Sequence, residues 1–163
     1  MSDGTIVLHR ATFAHCVLLF EWANDAAVRR GSFTPEPIAW SDHVQWFGAR
    51  LADPGSPIWL ICHNDSPVGQ VRLEADRRGG AMVHISLAPD WRHRGIGLQV
   101  LALLPGHARS IVDSYGARFH CLYAVIQPKN VASLALFARA GYTDPCSILY
   151  RGQPAMYVER RWE

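Results

Sequence analysis

Lysine is almost absent: Lys129 stands alone beside fifteen arginines among the sixteen basic residues. Cationic patches are therefore made of guanidinium groups, which suit phosphate, although a genome-wide preference for arginine yields the same composition. Excess charge is lacking too. A net charge of +2 is too small to draw in nucleic acid or a membrane surface, so neither is expected as a partner. The four cysteines, Cys16, Cys62, Cys121 and Cys146, form no CxxC pair and have no histidine at zinc spacing, so no metal is expected. Three of them lie in apolar segments, where a thiol behaves as a small hydrophobe. No apolar run approaches the roughly 20 residues of a membrane span, and Met1 to Arg10 carries no apolar signal core. A reducing, cytoplasmic setting is the expectation.

What is present is enough for one sizeable core. At 163 residues, 49% hydrophobic and 18% charged, with no repeat, low-complexity tract or linker, the chain reads as a single domain over 1–163. Residues 5–9 read as a first strand. Phe13, Cys16, Val17 and Phe20 have helical spacing, ended at Asn24-Asp25, and Ser41 reads as the cap of a second helix over 42–51. Strands follow at 58–63 and 67–74 around Asn64-Asp65-Ser66, then at 81–88, where Val83, Ile85 and Leu87 face one way and Met82, His84 and Ser86 the other. The apolar stripe from Ile96 to Tyr115 reads as the longest helix, with a kink or break expected at Pro105. A strand over 119–126, a helix over 131–140 closed by Gly141, and a terminal hairpin complete the pattern. The order implies an α/β domain with a mixed, mostly antiparallel sheet of six to seven strands and about four helices. Its central β–long helix–β unit demands a parallel pair.

Between the strand ending at Ala88 and the long helix lies Arg92-His93-Arg94-Gly95-Ile96-Gly97-Leu98. A helix entered through glycines presents unpaired amides and the positive end of its dipole, and Gly95 and Gly97 let a phosphate approach the backbone. Arg92, His93 and Arg94 add positive potential. A dinucleotide fold requires GxGxxG early in the chain, and a P-loop ends in Gly-Lys-Ser/Thr; neither pattern is present. A glycine-rich turn with solvated arginines is the plain alternative.

Arg92, Gly95 and Gly97 fill the Arg/Gln-x-x-Gly-x-Gly/Ala motif of the GNAT acetyltransferases, and the run from Asn130 through Ser133 and Phe137 to Gly141-Tyr142 resembles that family's Asn-x-x-Ser/Ala…Gly-Phe/Tyr helix. The resemblance implies a GNAT fold with a splayed central parallel pair, and acetyl-CoA as co-substrate with its pantetheine between the strands. Backbone at Leu87 and Ala88 would bond the pantetheine amides, Arg92 to Leu98 would hold the pyrophosphate, and Asn130 and Ser133 would line the other side. Segments around Glu21-Trp22, Val28-Arg29, His43 to Phe47 and Val68 to Arg72 resemble the PseH-type branch, with a looser likeness to acetyltransferases of ribosomal-protein N-termini. That implies a small-molecule acceptor, the 4-amino group of a UDP-linked amino sugar in nonulosonate or surface-polysaccharide synthesis. The alternatives are a protein N-terminal acetyltransferase and a non-catalytic acyl-CoA-binding module. A homodimer is implied by family analogy alone.

Acetyl transfer to an amine needs a neutral, positioned nucleophile, stabilisation of the carbonyl oxygen and a proton for the departing thiolate. A backbone amide near Leu87, freed by a bulge in its strand, is the expected oxygen donor. His84 is the candidate base, on the strand face shared with Ser86; a half-buried structural histidine is the other reading. Phe137 stands where many relatives carry an acidic tyrosine, leaving Tyr142 and Tyr123 as substitutes. Arg29 and His43 match positions suited to the phosphates of a sugar nucleotide, and Trp40 and Trp46 to stacking on its base.

Overall fold

The computed structural model describes residues 4–162; residues 1–3 and 163, the outermost of the expected domain, lie outside that description. Among the described residues the elements run β1 (Ile6–Arg10), α1 (Cys16–Ala23), α2 (Ala26–Gly31), α3 (Trp40–Ala52), β2 (Ile58–His63), β3 (Ser66–Ala75), β4 (Gly80–Leu87), α4 (Ile96–Arg109), β5 (Cys121–Ile126), α5 (Val131–Arg139), β6 (Cys146–Tyr150) and β7 (Gln153–Arg161). The strands form one seven-stranded sheet in the order β1-β2-β3-β4-β5-β7-β6. Every neighbouring pair is antiparallel except β4 and β5. The α/β architecture with a central parallel pair is the one expected. No described helix is long and apolar enough to cross a membrane.

Both faces of the sheet are covered, which explains why β2 is apolar throughout. Trp59 and Ile61 join the larger core under α4 and α5, with Val71, Leu73, Leu122, Val158 and the helix residues Val100, Leu104 and Phe137. Ile58, Leu60 and Cys62 point the opposite way, against Cys16, Leu19 and Phe47 of α1 and α3. A strand buried on both sides cannot show polar–apolar alternation.

Three local expectations are corrected. Asn24-Asp25 does not simply end a helix: Asp25 Oδ2 accepts from the amides of Ala27 at 3.0 Å and Val28 at 3.2 Å, capping the additional helix α2. Ser41 lies inside α3, whose N-cap is Ala39 with no side-chain bond. The long helix continues through Pro105 and stops at Arg109. Proline here is near the last turn, where the missing amide breaks little of the ladder. Beyond it Asp113 Oδ1 takes the amides of Tyr115 and Ala117 into a turn, and Tyr115 is 76% exposed.

Gly69 of β3 faces Leu87 of β4. A Cβ there would lie 2.4 Å from the Ser86 carbonyl oxygen and 2.8 Å from Leu87 Cδ2. Gly69→Ala is expected to lower stability by about 1–3 kcal/mol, the usual cost of overpacking. Denaturant midpoints measure this, with the slope of the transition unchanged.

Candidate active site

The site originates in an interrupted ladder. β4 pairs with β5 only at Gly80–Cys121, Ala81–Leu122 and Met82–Tyr123. On its other edge β4 stays paired with β3 from Ala81 as far as Leu87, and β5 stays paired with β7 as far as Ile126. The strands therefore part beyond Met82 and Tyr123, the splay that the resemblance implied. Orientation along β4 follows from alternation. The Ala88 amide donates to Val68 at 2.8 Å and the Ser86 carbonyl abuts Gly69, so both face β3. Ile85 and Leu87 then face the cleft.

Leu87 thus presents its N–H to the cleft while its carbonyl accepts from Arg92 Nε at 3.0 Å. Ala88 does not serve as expected. Its amide is bonded to Val68 and so is not left for a ligand, while its carbonyl accepts from Trp91 and keeps only a second lone pair. The bulge expected near Leu87 is absent as well: the β3–β4 register is regular, and the irregularity sits at Ile61/Cys62 between β2 and β3. Plain strand alternation, not a bulge, frees the Leu87 amide.

At the cleft end, His93 has φ +60° and Gly95 φ +78°. Left-handed backbone at these positions turns the chain into α4, whose N-cap is Gly95. Among the described residues no acceptor takes the amides of His93, Arg94, Gly95, Ile96, Gly97 or Leu98; the first α4 amide with a partner is Gln99, bonded to Gly95 at 3.3 Å. Six successive free donors at a helix N-terminus make an anion cradle. Gly97 serves packing as well, since a Cβ there would come within 3.1 Å of Leu136 Cδ2 on α5. Arg94 lies 5.0 Å over the Trp91 ring, and Trp91 in turn packs on His63.

Arg92 is turned inward. Besides Leu87 it contacts Asp25 through Nη2 at 2.9 Å. Burial works against ionised Asp25, yet bonds from Arg92 and from the Val28 and Ala27 amides hold its carboxyl below the usual range. Asn130, expected to line the cleft, caps α5 by accepting from the Ser133 amide at 3.2 Å.

His84 lies directly opposite Arg72 of β3, and its Nε2 stands 3.5 Å from Glu74 Oε2. That distance is an electrostatic contact rather than a formed hydrogen bond, and Nε2 is buried without a partner. Arg72 and Arg50 flank the same carboxylate at 3.5 and 3.4 Å, and both lie over the Trp46 ring. Burial, then the Arg72 charge, push His84 down to about 4. Its side chain keeps 35% of its surface accessible, so water still reaches part of the ring. Contact with His84, helped by Arg50 and Arg72 against the cost of burial, holds Glu74 at about 2.

Other expected ligands are committed elsewhere. His43 is 2% exposed, bonds the Cys16 carbonyl through Nε2 at 2.9 Å and stacks on Phe47 at 5.7 Å; it cannot reach a phosphate. Arg29 donates to the carbonyls of Ala23 at 2.7 Å and Thr34 at 3.0 Å, bracing the loop after α2 rather than forking onto an anion. Trp46 is covered by arginines, which removes it as a stacking platform. Phe137 and Tyr142 meet edge-on at 4.8 Å inside the core, so neither supplies a proton. Tyr123 does lie beside the cleft, stacked on Tyr157 at 5.4 Å. Burial and the nearby Asp76 and Glu74 raise its hydroxyl to about 12, keeping it protonated. Tyr157 donates to Glu159 Oε2 at 2.7 Å. This aromatic and acidic wall from β5 and β7 was not assembled from sequence, because it needs the strand order β5-β7. No group of His, Cys, Asp and Glu suited to a metal occurs among the described residues.

The acetyltransferase (GNAT) domain model matches residues 5–143. No curated protein matches the chain. Among solved structures, aminoglycoside acetyltransferase AAC(6')-Ib in complex with ribostamycin and coenzyme A superposes with TM-score 0.81 at 15% identity, covering 96% of this chain and 93% of that one. A ribosomal-protein-alanine N-acetyltransferase from Brucella melitensis gives 0.77 at 23%, covering 96% and 99%. Spermidine N-acetyltransferase from Vibrio cholerae, with coenzyme A and spermine, gives 0.79 at 13%, covering 96% and 95%. At these identities the likeness is one of fold.

The His84–Glu74 pair gives stability a defined pH dependence. His84 at about 4 lies below its ordinary 6.5, so the unfolded chain takes up its proton first as pH falls. Its contribution is complete above 6.5 and lost toward 4. Glu74, at about 2 against an ordinary 4.5, acts in the same direction, complete above 4.5 and lost toward 2. The His84 ring signals are expected to titrate with a midpoint well under 6 by NMR, and urea midpoints to fall on acidification from pH 6.5. A midpoint near 6.5 overturns the assignment.

Proposed function

The chain belongs to the GNAT acetyltransferase family, and from that premise we propose that it acetylates the primary amine of an amino sugar, in its finer form a nucleotide-linked amino sugar. Its co-substrate is acetyl-CoA and it is an N-acetyltransferase. The observation that carries the reading is the run of free amides from His93 to Leu98 at the mouth of a cleft into which the amides of Ile85 and Leu87 also turn.

The residues present fit the cofactor. The amides of His93 to Leu98, with Arg94 beside them, would hold the pyrophosphate, and Leu87 N–H would bond the pantetheine or the reacting carbonyl. Ser133 and the Asn130 cap would border the α5 side. Arg92 belongs to this set as the residue that shapes the loop, not as a phosphate ligand. Bound acetyl-CoA supplies an acyl group already activated as a thioester. The chain's own work is positioning and proton management. His84 receives the amine's proton at Nδ1, with Glu74 at 3.5 Å compensating the charge gained at the ring. Tyr123 Oη holds a proton at neutral pH on the same side.

An amino sugar as acceptor is supported by the wall of Tyr123 and Tyr157, flat faces suited to a sugar ring, held at its edge by Glu159, which Arg161 pairs. AAC(6')-Ib, which shares the fold, is seen with ribostamycin. Glu74 is already flanked by Arg50 and Arg72, and Glu159 by Arg161, so neither is free for a cation; a peptide N-terminus is kept as the second reading by the shared fold of a ribosomal-protein-alanine N-acetyltransferase.

Release of free coenzyme A thiol across an acceptor panel tests the proposal. Amino sugars and UDP-linked amino sugars are expected to be turned over at least ~10-fold more efficiently than an alanine-initiated peptide or spermidine, a difference of about 1.4 kcal/mol in transition-state binding. Preference for the peptide overturns the sugar; no release with any amine overturns catalysis. His84→Gln is expected to lower kcat by roughly 100-fold, the range for losing a general base. An unchanged rate and pH profile assigns the proton to water.

A further inference from the structure

Two strands that share three paired residues and then part leave backbone groups facing each other across the gap. Left alone, such edges pair. Something must hold them open, and α2 lies across the opening. At its N-terminal end, Asp25 caps the helix and bonds Arg92 Nη2 at 2.9 Å; Arg92 Nε bonds the Leu87 carbonyl at the end of β4. At its C-terminal end, the carbonyl of Ser32, the C-cap residue, accepts from Gln127 Nε2 at 2.6 Å, the residue directly after β5. Gly31 packs against Asn130 of the α5 cap, with only 3.4 Å for a Cβ. An unbroken chain of contacts therefore runs from β4 through α2 to β5.

The lengths decide what this chain of contacts does. Paired strands sit about 4.8 Å apart. The six residues of α2 span about 9 Å along the helix axis, before either side-chain anchor is counted. Laid between anchors on the two strands, a helix of that length is longer than the ladder spacing and favours a wider gap. We infer that α2 is a strut that sets the width of the cleft, with Asp25 and Gln127 as positioning residues that seat its two ends. The anchors beyond them are consistent with this role. Gln153 Nε2 donates to the Phe33 carbonyl at 3.1 Å, and Phe33 meets the Tyr150 ring at 5.0 Å, so the segment leaving α2 is also seated on the terminal hairpin.

Amide hydrogen exchange on the ligand-free chain tests the strut directly. In the native chain the amides of Ile85 and Leu87 are expected to exchange quickly. In Asp25→Ala/Gln127→Ala the strands are expected to pair further, slowing exchange at Ile85 and Leu87 at least ~10-fold relative to the native chain. Coenzyme A, titrated calorimetrically, is expected to bind at least ~10-fold more weakly. Gln127→Met, which keeps length and loses the Nε2 bond to Ser32 together with an Oε1 that has no partner, gives the same two changes at smaller size in a variant that folds. Unchanged exchange at Ile85 and Leu87, or faster exchange across the whole sheet, overturns the strut, because simple loss of structure loosens amides rather than protecting them. The coenzyme readout rests on the acetyl-CoA reading and the exchange readout does not. If the native chain binds no coenzyme A, the functional reading fails while exchange still decides the strut.

Discussion

The interruption of the β4–β5 ladder after three residue pairs governs the rest of the molecule. Buried backbone groups normally find partners, and the cost of leaving one unpaired is comparable to a lost hydrogen bond. Here the groups of Ile85 and Leu87 that alternation turns toward β5 meet no strand. The fold tolerates this because the other edge of each strand is fully paired and both faces of the sheet are packed. A cleft with its own donors is the consequence, and the free amides opening α4 stand at its outer end.

Arg92 shows how the surrounding structure supports that cleft. A guanidinium beside an anion cradle invites the reading of a phosphate ligand, yet this one faces inward, toward the Leu87 carbonyl and Asp25. Its value lies in shape: it closes the end of β4 onto the loop and fixes α2 across the gap. Asp25 accordingly serves two structures with one oxygen, capping α2 and pairing Arg92. On the opposite strand face, Arg50, Arg72, Glu74 and His84 form a second charged group in which the histidine stays neutral and the carboxylate stays charged. Positive charge from two arginines disfavours protonation of His84, and Glu74 only partly offsets it.

Much of this was legible in residues 81–98, where an apolar strand, a Pro-Asp stop, two glycines and a long amphipathic run follow in order. The strand, the turn and the helix start came out at or within a residue or so of their positions, since local pattern dominates there. Asp25 was misread although its signal was present: an aspartate followed by Ala26-Ala27 is an N-cap as readily as a helix end. His43 and Arg29 are candidate ligands only through the family resemblance of their segments. Whether a polar side chain faces a ligand or a backbone carbonyl depends on atoms supplied by distant segments, such as Cys16 for His43 and Thr34 for Arg29.

The amino-acid order by itself determined the succession of strands and of every helix but the short α2, the parallel pair and the glycine-gated entry to α4, because each depends on periodicity, turn chemistry or the handedness of a single crossover. Only the tertiary structure decided where β4 and β5 stop pairing, which donors remain free, and that Tyr123 and Tyr157 stand side by side. Those outcomes depend on register and on strand order across more than thirty residues of chain separation. Hydrogen bonds are satisfied or left open by whatever the complete fold brings within about 3 Å, and no local pattern encodes that.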